Sequence, residues 1–120
     1  MKRDRFGQIG EAIAARALER AGLRVIARNV RYREGEIDIV AEEGKTLVFV
    51  EVRARRGDAF GLPEESLTRR KQVRLARAAH RYLQERGLEA VDWRIDLVAV
   101  ELAPNGRLLR VDHHRAVVEE

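Results

Sequence analysis

Two apolar runs that carry acids constrain this chain more than any other feature: Gly35-Glu36-Ile37-Asp38-Ile39-Val40-Ala41 and, across a short turn, Leu47-Val48-Phe49-Val50-Glu51-Val52-Arg53. Both are rich in β-branched residues and bounded by turn formers, so both read as strands. The intervening Glu43-Gly44-Lys45-Thr46 suits a two-residue hairpin with Gly44 at the first central position, where a type II′ turn requires positive φ. Pairing Glu43 with Thr46 then sets Asp38 opposite Glu51 and Glu36 opposite Arg53, and strand alternation puts all four on one face. A three-residue loop would instead move Asp38 opposite Val50 and send the two acids to different faces.

Like charges directly opposite each other destabilise a sheet, so such a pair calls for a compensating cation. Magnesium or manganese suits it, because hard divalent ions take oxygen from one or two carboxylates and complete their shell with water and substrate phosphate. Pattern alone leaves a second reading open, in which Glu36, Asp38, Glu51, Arg53 and Arg55 form an exposed strand face and pair with one another across the hairpin.

At 120 residues, with no linker, low-complexity segment or internal repeat, the chain reads as one domain over residues 1–120. Its charged start leads into no apolar segment and no run is long enough to span a bilayer, which predicts a soluble, cytoplasmic protein with no membrane partner. The absence of cysteine excludes disulfides and thiolate metal sites. Net charge is +4, and of the 24 basic residues only Lys2, Lys45 and Lys71 are lysine. Arginine favours bidentate phosphate contacts. It also accords with a coding bias or a hot habitat, so the placement of the arginines carries more weight than their number.

Periodicity predicts a first helix over residues 4–21, burying Phe6, Ile9, Gly10, Ile13 and Ala17 and stopping at Gly22. Glu11 lies off that stripe, among Ala14, Ala15 and Leu18. This sets it apart from the arginine-rich face, where it is either an exposed helical acid or one that leans towards the sheet. A strand over residues 23–31 follows, then the acidic hairpin, then a loop over residues 55–63. A second helix over residues 68–86, N-capped by Thr68, buries Leu75, Ala79, Tyr82 and Leu83. Its Arg70, Arg74, Arg77 and Arg81 form a stripe about 16 Å long that suits a nucleic-acid backbone, or else a solvated face. Lys71 falls on the inward side of the first turn. Strands over residues 93–102 and 107–111, joined by Ala103-Pro104-Asn105-Gly106, complete the chain. Asp96 reads as a structural hydrogen-bonding group. His113 and His114, adjacent on a strand, face opposite sides and are assigned no function.

In order, Gly10-Glu11, Gly35-Glu36-Ile37-Asp38-Ile39-Val40-Ala41, Val48-Phe49-Val50-Glu51-Val52-Arg53-Ala54-Arg55, Lys71 and Arg94-Ile95-Asp96-Leu97-Val98 give the chain a resemblance, over nearly its whole length, to the YraN family of uncharacterised bacterial proteins. That family is similar to archaeal Holliday junction resolvases within the PD-(D/E)xK nuclease superfamily. The resemblance implies an α/β restriction endonuclease-like core, a mixed β-sheet flanked by helices in the order αβββαβ with a C-terminal hairpin. It further implies an endonuclease that hydrolyses DNA phosphodiester bonds, with Asp38 and Glu51 as principal ligands of Mg2+ or Mn2+, Glu11 helping to hold the ion or its water, and Glu36 in the outer shell. Arg55 joins Arg70, Arg74, Arg77 and Arg81 as expected nucleic-acid contacts. A homodimer is expected for a two-fold symmetric junction. The superfamily pattern places lysine two residues after the glutamate, and here that position is Arg53. Arginine cannot serve as a general base, so Arg53 would orient water or stabilise charge, Lys71 would supply the ammonium, or the site would bind nucleic acid without cutting it.

Overall fold

The computed structural model describes residues 5–57 and 61–118. The predicted helix start at Asp4, and Asp58, Ala59 and Phe60 of the predicted loop, lie outside them. The elements follow as α1 (Arg5–Arg20), β1 (Arg24–Arg31), β2 (Glu36–Glu43), β3 (Thr46–Arg56), a short 3₁₀ turn (Pro63–Ser66), α2 (Arg69–Glu85), β4 (Trp93–Leu102) and β5 (Leu108–His114). The strands form one sheet in the order β1-β2-β3-β4-β5. Among the described residues only β3 and β4 pair in parallel. A parallel pair needs a crossover, and α2 provides it.

Both faces of the sheet are covered, which is why the central strands read as continuous apolar runs rather than alternating ones. On one face α1 packs Ala14, Ala15 and Leu18 against Ile39, Val50, Val98 and Val100. On the other, α2 packs Leu75, Tyr82 and Leu83 against Ile37, Phe49 and Ile95. Phe49 meets Tyr82 and Trp93 edge-on, with centroids 5.5 and 5.7 Å apart, the arrangement the ring quadrupole favours. Among the described residues no helix is long and apolar enough to cross a membrane.

From Glu43↔Thr46 to Ile39↔Val50 the hairpin forms with the predicted register, and the predicted pairs Asp38–Glu51 and Glu36–Arg53 lie beyond that ladder. Glu43 pairs with Thr46, Gly44 has φ +59°, and Lys45 is not among the positive-φ residues, the combination that a type II′ turn requires. The second helix is also as predicted. Thr68 caps it by accepting a hydrogen bond from the Lys71 amide at 3.3 Å, and Leu75, Ala79, Tyr82 and Leu83 are buried.

The buried face of α1 is a correction. It comprises Gly10, Glu11, Ala14, Ala15 and Leu18, while Ile9 is 42% exposed and Phe6 and Ile13 pack at the margin. The cause is close approach: a Cβ on Gly10 would stand 2.8 Å from the Ala54 Cβ on β3. A helix this near the sheet makes contact through its smallest residues, so the stripe of larger ones is turned aside and Glu11 is turned in.

Candidate active site

At Asp38 the side-chain alternation of β2 breaks. Ile37 and Val40 belong to the core beneath α2, whereas Ile39 and Ala41 belong to the core beneath α1. Asn29, which lies between the paired positions Arg28↔Ile39 and Val30↔Ile37, has φ +54°. Asn tolerates this left-handed geometry better than most residues. The β2–β3 ladder ends at Ile39↔Val50, one step short of Asp38 and Glu51. There Asp38 Oδ2 accepts the Val52 amide at 2.8 Å, so its side chain takes up a strand donor where the ladder ends.

Asp38, 3% exposed, and Glu51 line one cleft of about 360 Å3 together with Glu36, Arg53, Lys71 and Arg74. Three contacts hold Arg53 and Lys71 at the cleft. Arg53 Nη1 lies 3.6 Å from Glu51 Oε2, and its Nε donates to Ser66 Oγ at 2.7 Å. Lys71 Nζ donates to the Ser66 carbonyl at 3.3 Å. Glu36 lies at the rim, 3.6 Å from Arg31 Nε. Gly35 permits α2 to form the cleft wall, since a Cβ there would stand 2.7 Å from the Arg74 carbonyl oxygen.

Glu11 leans towards the sheet, 4% exposed, and accepts from Asn29 Nδ2 at 2.9 Å. It reaches the vicinity of Asp38 through Asn29, from the α1 side, and does not line the cleft. Among the described residues the three-ligand cluster lies elsewhere, at Glu64, Asp112 and His114, where Arg110 already donates to both carboxylates. That guanidinium holds Glu64 below the usual carboxylate range despite partial burial.

The predicted arginine stripe divides. Arg70, Arg74 and Arg77 are exposed on α2 and line a groove of about 630 Å3 with Arg33 and Glu34. Arg81 is engaged, donating to Glu34 at 3.1 Å and lying over the Tyr32 ring. Arg55 is held by Glu101 at 2.8 Å, away from the stripe. Asp96, fully buried, accepts from Arg94 at 2.9 and 3.2 Å and from the Ala116 amide at 2.9 Å, and lies 2.7 Å from His113 Nε2. His114 points to Glu64 on the other side of β5. Three contributors were not singled out from sequence: Asn29, Ser66 and Arg33. Only Asn29 leaves a trace there, as an amide between Ala27 and Val30 in a strand.

Residues 10–100 match the model of the uncharacterised protein family UPF0102. The chain belongs to this family. The matched span includes Glu11, Asp38, Glu51, Arg53 and Lys71. A UPF0102 protein of Symbiobacterium thermophilum is 53% identical over 104 residues, covering 87% of this chain and 88% of its own. One from Chloroflexus aurantiacus is 49% identical over 117 residues, covering 97% and 94%, and one from Beutenbergia cavernae is 49% identical over 115 residues, covering 96% and 97%. The family identity meets the expectation from sequence. The family match takes in α1 from Gly10 onward, α2 and the residues that line the cleft.

Proposed function

We propose that this protein is a metal-dependent nuclease of restriction endonuclease-like fold that hydrolyses phosphodiester bonds in DNA. The observation that carries this reading is the meeting of Asp38 and Glu51 in one cleft with Arg53 and Lys71, beside an arginine-lined groove. The element order and the mixed sheet agree with the fold. Two carboxylates in a cleft open to water fit Mg2+ or Mn2+, which keep several waters and accept few protein ligands. Asp38 and Glu51 would hold the ion, and Glu11 would act behind them through Asn29. When bound, such an ion polarises the phosphoryl oxygen and lowers the pKa of a bound water.

The chain's own residues divide the remaining work. The Val52 amide fixes the orientation of the Asp38 carboxylate. Arg53 supplies a fixed guanidinium that stabilises the charge that builds on the phosphate and does not serve as the general base. Lys71, at the start of α2, brings a second cation to the opposite wall. Arg70, Arg74 and Arg77 hold the backbone of the substrate strand along the neighbouring groove, with Arg74 shared between groove and cleft. A junction with two-fold symmetry would engage two copies of the chain. A cytoplasmic location follows from such a substrate.

The presence of Arg53 where the superfamily pattern has lysine supports one alternative, a nucleic-acid-binding protein on the same fold that does not cut. Asp38→Asn distinguishes the two. Under the nuclease reading, cleavage of labelled DNA in Mg2+ or Mn2+ falls by about 10²-fold or more, while affinity measured in Ca2+ is kept. Under the alternative, neither the parent nor the variant cuts.

A further inference from the structure

Ser66, at the end of the 3₁₀ turn, touches two cations of the cleft, Arg53 and Lys71. Its hydroxyl donates to the Pro63 carbonyl at 2.6 Å, so its single hydrogen is committed and the oxygen faces Arg53 only as an acceptor. Arg53 Nε donates to it at 2.7 Å. Because a guanidinium is planar, fixing Nε fixes the plane of all three nitrogens and turns the Nη edge towards Glu51. The Ser66 main-chain carbonyl meanwhile accepts Lys71 Nζ.

The turn that carries Ser66 is itself anchored. Pro63 is buried, Glu64 accepts from Arg110 at 3.0 Å, and Arg110 donates to Glu101 on β4 at 3.1 Å. A hydroxyl on so fixed a support holds a side chain more closely than one on a free loop, and catalytic geometry tolerates little error.

We propose that Ser66 is a positioning residue that sets Arg53 and Lys71 for the phosphate in the cleft. The proposal rests on the nuclease reading for its kinetic consequence but not for its structural one. The first readout therefore needs no activity: hydrogen exchange of the Arg53 Nε–H in the 15N spectrum of the full chain. Slow exchange in the parent and in Ser66→Thr, with fast exchange in Ser66→Ala, supports the proposal. Fast exchange in the parent, at the rate of the exposed helix arginines, overturns it without recourse to any variant.

The second readout is single-turnover cleavage of DNA in Mg2+. Ser66→Ala lowers the rate at saturating DNA about tenfold with half-saturation unchanged, and Ser66→Thr recovers it. In an Arg53→Lys background, where no Nε–H remains to be held, Ser66→Ala adds little further loss. An equal loss in both backgrounds, or none in either, overturns the positioning role. If the parent cuts no DNA, the nuclease reading fails, and the Nε–H exchange still decides whether Ser66 holds the cation.

Discussion

Asp96 and Asp38 are both buried aspartates of the sheet, on strands two apart, and their surroundings differ. Asp96 is enclosed by Arg94, His113 and the Ala116 amide. Burial alone would raise its pKa, but the bonds from His113 and Arg94 outweigh it, and the carboxyl lies below its ordinary value of 3.8. A carboxyl depressed in the folded state contributes stability that is fully present above its unfolded value and is lost as pH falls through its folded one. Melting between pH 2 and 7 should therefore show part of the acid loss below about pH 4 disappearing in Asp96→Asn. At neutral pH the same variant should lose about 1–3 kcal/mol, since Arg94 keeps Glu43 but loses its charged partner in the sheet. An equally steep acid profile in the variant would place the acid sensitivity elsewhere. Asp38, by contrast, accepts the Val52 amide and lines the cleft.

Two glycines decide how near the helices come. Gly10 brings α1 onto Ala54, and Gly35 brings Arg74 of α2 over the start of β2. Gly10→Ala should cost about 1–3 kcal/mol by overpacking, and Ala54→Gly in the same chain should recover most of it, which chemical denaturation can read. Such contacts also show what the sequence could convey. The hairpin register was legible because Gly44 selects the turn, and α2 was legible because Thr68 and the Leu75, Ala79, Tyr82 spacing report local chemistry. The face of α1 was misread because periodicity weights Ile9 and Ile13, whereas a close helix buries glycine and alanine. Glu11 was noticed as unusual, yet its burial depends on Asn29, and the strand backbone there takes its form from pairing across the sheet. Ser66 left no signal, since a serine after a proline-initiated turn is ordinary until Arg53 is seen against it.

Across the whole molecule, charge is distributed more selectively than the +4 total suggests. Many arginines are tied to carboxylates, as Arg55 and Arg110 are to Glu101, and Arg81 to Glu34. Arg70, Arg74 and Arg77 remain exposed along one groove. Each of these three should contribute about 0.9 to the slope of log affinity for duplex DNA against log salt, so the triple alanine variant should flatten it by about 3. Arg81→Ala should leave the slope nearly unchanged. An equal effect at all four would mean that the pairing with Glu34 gives way on binding. The central claim, that the carboxylates of the cleft cut DNA, is tested most directly by incubating labelled linear, single-stranded and four-way-junction DNA with Mg2+ or Mn2+, the parent protein beside Glu51→Ala. Cleavage by the parent, strongest on its preferred structure, and its loss in the variant with binding retained is the expected result. Tight, salt-sensitive binding by both proteins with no cleavage by either would contradict it.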